Sequence, residues 1–353
     1  MINNNKNFIP ALTGYRAIAA WIIFIYHFFP FAKTTIPDII RNVVSQFHFG
    51  VDLFFVLSGF LITYRYYNQS KIDFKQYMVN RFARIYPMYF LLTVLVFLVG
   101  FIKTNTWTLE QTKELIFSVT MTKAFFSEYF LVGVPQGWTL TLEEMFYLTA
   151  PIYFLFIKKN MKWLFILPVL IFVLGFILKN ITAISINEIG FLQTGIHVFI
   201  FEFFAGISLA VLILHKKIEF KYYWVTYFGL GIIMIYLFGK SYIGMIINSN
   251  SSIIRAIEVI FLSYLGVIPL LWGLINEKTF IQRFLASKHM VVLGKSSYIF
   301  YLIHKGFIPV FINDYVIENK FILFIILNLL SVIMFYTLEE PINRYIRKKY
   351  KRP

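Results

Sequence analysis

The sequence predicts an all-α polytopic membrane protein with about ten transmembrane helices, and three observations predict it. Of its 353 residues, 59% are hydrophobic and 14% charged, against about 45–50% and about 25% in a soluble domain. The apolar residues fall into ten stretches, each near the roughly 20 residues that a helix needs to cross a hydrocarbon core of about 30 Å. Lys and Arg crowd into alternate connections between those stretches, 21 on one side and 8 on the other, as the positive-inside rule requires. A soluble enzyme and a nucleic-acid binder are excluded. The net charge of +16 is cytoplasmic loop charge, not a nucleic-acid patch. Cysteine is absent, which excludes disulfides, thiolate metal sites and Cys nucleophiles.

The first stretch, 9–31, is a span and not a cleaved signal. It is long, carries Arg16 and His27, and is followed by Lys33, not a small-residue cleavage site. The second, 48–64, contains Phe54–Phe60 (FFVLSGF). Its Ser58 lacks the flanking glycines of a nucleophile elbow and fits helix packing instead. The third, 86–102, follows a basic connection at 65–85. The longest connection, 103–137, is too short for a separate domain. Within it the apolar run 115–126 is too short to span and is expected to be interfacial or re-entrant. Further spans are expected at 138–157, 163–178, 196–214, 222–239, 253–275, 290–312 and 321–338, followed by a basic tail at 339–353. The charge alternation places both termini in the cytoplasm. No repeat or low-complexity run interrupts the pattern, so 1–353 is expected to be a single membrane domain.

Ionisable groups inside spans are costly and default to functional or paired roles. In this orientation His27, Asp52, Glu143, Glu144, Glu202, Glu258 and His304 all fall near one level, toward the outer surface. Arg16 lies deeper. It precedes His27 by eleven residues, about three helical turns and about 16 Å of rise, so the two share one face. A histidine suits general-base work because small perturbations tune it near neutrality. Such a base is oriented by a carboxylate, with Asp52 the candidate on depth and Glu143 the alternative. Glu202 and Glu258 are expected to pair with interior partners such as Arg255. His48, His197, His215 and His289 lie near span ends and are expected to be interfacial. No metal-binding spacing and no Gly-rich phosphate loop appears.

Arg81 and Arg84, in NRFARIYP, are neighbours on a helix, and two guanidinium forks at the cytoplasmic face suit a phosphate-rich ligand. Lipid-headgroup anchoring is the competing explanation. Glu339 and Glu340 sit beside Arg344 and Arg347 and are expected to form a helix-end salt bridge. Trp138 lies at an interface, where anchoring alone accounts for a tryptophan.

Taken in order, these segments resemble the acyltransferase-3 family of membrane acyltransferases over nearly the whole chain. LTGYRAIAAWIIFIYH resembles the family's first helix, with an arginine, ten residues and a histidine. FHFGVDLFFVLSGFLIT resembles the second helix, and RFARIYP its R-x-x-R segment. GWTLTLEEMFYL resembles W-[ST]-L-x-x-E-x-x-F-Y, with Trp138, Glu143, Phe146 and Tyr147 in register. LGKSSYIFYLIH and LEEPINR resemble the closing signatures through Ser297, Tyr298, Tyr301, His304, Glu340 and Pro341. Thr139 stands where the family often has serine, and the hydroxyl is kept.

The resemblance implies transfer of an acyl group, commonly acetyl from acetyl-CoA, to a hydroxyl of a sugar or glycan precursor. Carried over, His27 is the catalytic histidine and Arg16 its partner; Asp52, or Glu143 as the alternative, remains the supporting carboxylate suggested by depth. Arg81 and Arg84 contact the CoA phosphates, and Trp138, Tyr301 and His304 are the acceptor-binding candidates. Acyl-CoA serves as donor substrate, with no permanently bound cofactor and no metal. The expected partners are acyl-CoA, a carbohydrate acceptor and membrane lipids, without nucleic acid, and the expected location is a bacterial plasma membrane. No appended esterase-like domain is expected, and a second soluble step is expected to come from another protein. The competing reading is a secondary transporter or flippase of a polar substrate, for which no inverted repeat or paired broken helix is seen.

Overall fold

The computed structural model describes residues 8–31, 33, 35–185, 195–215, 224–243 and 252–351. Most of the connections expected at 179–195, 215–221 and 240–252 lies outside the described residues. Among the described residues the chain is helical and contains no strand.

Helix α1 (Pro10–Phe28) opens on a proline, whose fixed φ suits a first turn that has no hydrogen bond to lose. The short α2 (Asp38–Val44) leads into α3 (Gly50–Tyr66). Helix α4 (Phe74–Thr104) is capped by the Asp73 carboxylate, which accepts from the Gln76 N–H at 3.1 Å. It ends where Asn105 turns left-handed at φ 48°. A capping box between Thr108 and Gln111 starts α5 (Leu109–Val119). There follow α6 (Trp138–Lys159), α7 (Trp163–Ser185), α8 (Ile196–Leu214), α9 (Val225–Ile243) and α10 (Ile253–Asn276). The last are α11 (Phe280–Leu285), α12 (Lys288–Ile303), α13 (Phe307–Tyr315) and α14 (Lys320–Lys349). Both α10 and α14 contain a π-helical stretch, Phe261–Val267 and Phe335–Glu339.

Eight of the described helices are long and apolar enough to cross a membrane, and they fall on eight of the ten expected spans. The seventh expected span is the shorter apolar stretch Val225–Ser241 of α9. The ninth, 290–312, is two helices, because α12 stops at Ile303 and Gly306 takes φ 110°, a conformation open to glycine. The third begins earlier than expected: at 31 residues, α4 is about 46 Å long. Arg81 and Arg84 therefore belong to the helix itself and not to a connection before it. The run 115–126 is divided between the end of α5 and a 3-10 turn at Lys123–Phe125.

The helices group into two compact units. The first comprises Met1–Ser70, Tyr153–Leu170 and Val198–Lys295. Its core is apolar, with Leu12, Leu53, Val56, Phe60, Leu271 and Leu274 buried. Here α3 and α8 cross at reciprocal glycines. A methyl added at Gly59 would strike the backbone oxygen of Phe203, and one at Gly206 that of Val56. Gly14 against Leu285 and Gly294 against Thr13 bring α1 equally close to its neighbours. Such backbone approach is how helices gain packing in a medium that supplies no hydrophobic drive between them. The start of α9 is capped from a distance. The Glu277 carboxylate accepts the backbone N–H groups of Val225 at 2.8 Å and Thr226 at 2.9 Å, and also the Thr226 hydroxyl.

The second unit comprises Lys71–Ile152, Ile171–His197 and Ser296–Pro353. Helix α4 packs against the final turns of α14, where the Arg347 guanidinium donates to the Asn80 carbonyl at 3.3 Å. The Tyr298 hydroxyl donates to the Ile85 carbonyl at 2.7 Å and the Tyr89 hydroxyl to that of Ser118 at 2.9 Å. His197 lies at the start of α8, as its place near a span end implies, but it is buried. Gly175 leaves room for its ring, which stacks on Phe172 at 5.7 Å.

Candidate active site

Each unit assembles part of the predicted set. In the first, Arg16 and His27 lie on α1, Arg16 half-buried and His27 exposed in the last turn beside Tyr26, their rings 5.0 Å apart. Asp52 is buried in the first turn of α3, where the helix N-terminus favours an anion. One of its oxygens lies 3.5 Å from the Arg255 guanidinium, whose other nitrogen lies 3.8 Å from Glu258. Glu258 also pairs with Lys240 at 2.8 Å. The expected pairing of Glu258 with Arg255 is present. Lys240, which the sequence offers only as loop charge, joins it.

In the second unit the R-x-x-R arginines have separate environments. Arg81 stacks over the Tyr147 ring at 5.5 Å. The Tyr147 hydroxyl donates to Glu143 one turn before it on α6, and its carbonyl accepts from the Tyr77 hydroxyl at 2.7 Å. Arg81 is thus level with the middle of α6, and Tyr147 contacts both Arg81 and Glu143. The sequence places these two residues nearer opposite faces of the membrane. The length of α4 resolves the difference, since its arginines are helical positions carried along by the span. Arg84 forms an ion pair with Glu339 at 2.6 Å, and Glu339 is buried. Glu340 pairs with Arg344 as expected, at 3.7 Å. Glu339 ends the π-helical stretch and reaches Arg84 of α4.

The acceptor-binding candidates also lie together in this unit. The Tyr301 hydroxyl and Thr139 hydroxyl share a hydrogen bond at 2.9 Å, and the His304 ring nitrogen Nδ1 meets the Tyr301 carbonyl at 2.7 Å. Tyr301 and His304 are buried, whereas Trp138 is half-buried and stacks on Phe130 at 5.0 Å. The residue that organises them is Gln136, which no motif singles out. Its amide donates to the Tyr301 carbonyl at 2.9 Å and to that of Leu302, capping the broken end of α12.

Lys123 is the other residue missed. It is fully buried, and its ammonium donates to the carbonyls of Val132 at 2.7 Å and Val134 at 2.5 Å. That ties the loop to the turn that launches Trp138. Burial lowers the amine to about 7, and a neutral amine still has the two N–H groups that the two carbonyls need. The signal in the sequence is a lone lysine inside an apolar run. Nearby, the Tyr129 hydroxyl donates to Glu110 at 2.7 Å. That bond holds the exposed Glu110 carboxyl below its ordinary range and raises the Tyr129 hydroxyl to about 12. Among the described residues no cluster of His, Cys, Asp or Glu could hold a metal ion.

A family model described as an acyltransferase domain matches residues 9–339. The chain is 25% identical to the O-acetyltransferase OatA of Staphylococcus aureus strain NCTC 8325 / PS 47, over 96% of this chain and 58% of that protein. The same figures hold for OatA of Staphylococcus aureus strain MRSA252. The chain thus spans little more than half the length of the curated relatives it matches. No solved structure matches it.

Proposed function

The chain belongs to the acyltransferase-3 family of integral membrane acyltransferases, and on that premise we propose that it is an O-acyltransferase of the bacterial plasma membrane. It moves an acyl group, acetyl by preference, from cytosolic acyl-CoA to a hydroxyl of a carbohydrate or glycan precursor. The observation that carries this reading is a family match from residue 9 to residue 339, which takes in the Arg16–His27 helix and the R-x-x-R segment. The relatives' name, O-acetyltransferase, supports acetyl.

In this mechanism the phosphates of CoA are held by Arg81 and Arg84, whose forks match phosphate oxygens. His27 takes the proton of the acceptor hydroxyl as the oxygen attacks the thioester carbon, or carries the acyl group itself in a two-step transfer. Either route passes through a tetrahedral oxyanion that needs a donor or positive charge, the role given to Arg16. The C–S bond then breaks, and the CoA thiolate leaves and takes up the proton. Asp52 or Glu143 orients the base. Trp138, Tyr301 and His304 hold the acceptor, with the buried pair shaping the site and the Trp138 ring offering a sugar-sized apolar face.

The test is free-CoA release from acetyl-CoA by the full chain purified in detergent. Slow hydrolysis is expected, lost in His27→Ala with membrane expression unchanged. A His27→Ala protein that hydrolyses as the wild type does would overturn the mechanism. A chain that neither hydrolyses nor binds acetyl-CoA would overturn the acyltransferase reading in favour of transport.

A further inference from the structure

Four helices of the first unit bring five ionisable side chains together: Asp52 from α3, Glu202 from α8, Lys240 from α9, and Arg255 and Glu258 from α10. Asp52 is 1% exposed and Glu202 0%. The two cations are committed, Lys240 to Glu258, and Arg255 to Glu258 and one oxygen of Asp52. The other oxygen of Asp52 and both oxygens of Glu202 are buried and accept no hydrogen bond. Glu202 lies level with Asp52: Gly206, one turn on from Glu202, meets the backbone of Val56, one turn on from Asp52, and the rings of Phe55 and Phe199 meet at 5.2 Å. The remaining titratable groups that face this cluster are Tyr15 from α1, His48 from the turn before α3, and Tyr236 from α9. The Tyr15 hydroxyl makes no hydrogen bond, so it does not serve the bare oxygens.

Two ionised carboxylates facing each other away from water repel strongly and leave acceptors unsatisfied. A proton between them removes both difficulties, because one carboxyl then donates to the other. Charge leads to the same state. Three carboxyls face two cations, and one proton makes the cluster neutral, as a low-dielectric interior requires. We propose that Asp52 and Glu202 share one proton, so that the membrane domain contains a proton-binding carboxyl pair held in place by Arg255. The proton comes from water as the helices assemble, and no covalent bond other than O–H forms. The inference does not depend on acyl transfer.

The experiment is infrared spectroscopy of the full chain in detergent, recorded in H2O and D2O, reading the carbonyl stretch of a protonated carboxyl. The wild-type spectrum minus that of Glu202→Gln is expected to contain one such band, shifted by deuterium. The wild-type spectrum minus that of Asp52→Asn is expected to contain the same band, because Glu202 without a carboxylate neighbour ionises beside Arg255. Persistence of the band in Asp52→Asn would show a lone neutral acid and overturn the sharing. Absence of any band loss in Glu202→Gln would overturn the bound proton altogether. Should Glu202→Gln fail to elute as a single species, Glu202→Asp keeps the carboxyl and must keep a band, and its absence would overturn the proposal equally.

Discussion

Arg84 already holds an anion, the buried carboxylate of Glu339 at 2.6 Å, so a phosphate arriving there must compete with it or share the guanidinium. Arg84→Ala is therefore expected to act twice. The KM for acetyl-CoA should rise about tenfold or more, since a charge-assisted contact of this kind contributes about 1.5–3 kcal/mol. Thermal stability should fall by up to about 3 kcal/mol as the buried Glu339 loses the Arg84 charge. Arg84→Lys restores stability but not KM, because a point charge lacks the fork. An unchanged KM in Arg84→Ala would remove Arg84 from the donor site and leave it a structural role. At this scale the sequence is informative about which polar residues make contacts and less so about their partners. Arg81, Glu143, Thr139 and Tyr301 all take part in the contacts described, and the link of Glu258 to Arg255 was foreseeable. The Arg84–Glu339 pair was not, because a π-helical stretch shifts the face on which Glu339 emerges, and periodicity assumes an unbroken α-helix. Gln136 and Lys123 were missed because they bind backbone carbonyls, which carry no sequence signature.

Helix crossings set the tolerance of α3 and α8. Gly206→Ala is expected to lower stability by about 1–3 kcal/mol, since the methyl meets the Val56 backbone oxygen and not a side chain that can rotate away. The check is the unfolding temperature in detergent, with Gly231→Ala as control, where an added methyl meets nothing within 4 Å. The loop before α6 should respond to pH through Lys123. Its folded-state amine lies near 7 against an ordinary value of 10.5, so above about 7 the unfolded chain binds the extra proton. Stability from this source rises with pH through that window and is flat below it. Between pH 7 and about 9 the gain is at most about 3 kcal/mol. Lys123→Met should flatten that rise, and an identical pH profile in the variant would exclude Lys123 as its source. The broken ninth span belongs to this scale too. The stretch 290–312 is apolar on average, and its one dip near the break is His304–Lys305–Gly306, while the interruption depends on Gly306 adopting φ 110° and on Gln136 capping the carbonyls from another segment.

For the whole molecule, composition and periodicity carried the architecture, because the bilayer imposes helix length and satisfied backbone on any chain that crosses it. The sidedness remains a prediction from charge, and this chain suits its test because it contains no cysteine. A single thiol at Leu109→Cys, a position 76% exposed, should react with a membrane-impermeant reagent on intact cells. One at Tyr345→Cys, 64% exposed, should react only after permeabilisation. The reverse pattern would invert the topology and with it the cytosolic origin proposed for the acyl donor.

The close glycine crossings also bear on how genetic screens of this protein will read. A selection that scores only product would find Gly59, Gly206, Gly14 and Gly294 as intolerant as the proposed base His27, since each position admits no side chain without displacing a neighbouring backbone. Loss at these glycines removes the folded protein, whereas loss at a reacting group leaves it in the membrane and silent. A map of forbidden substitutions will therefore trace the lines along which the helices touch as faithfully as it traces the chemistry, and protein abundance separates the two.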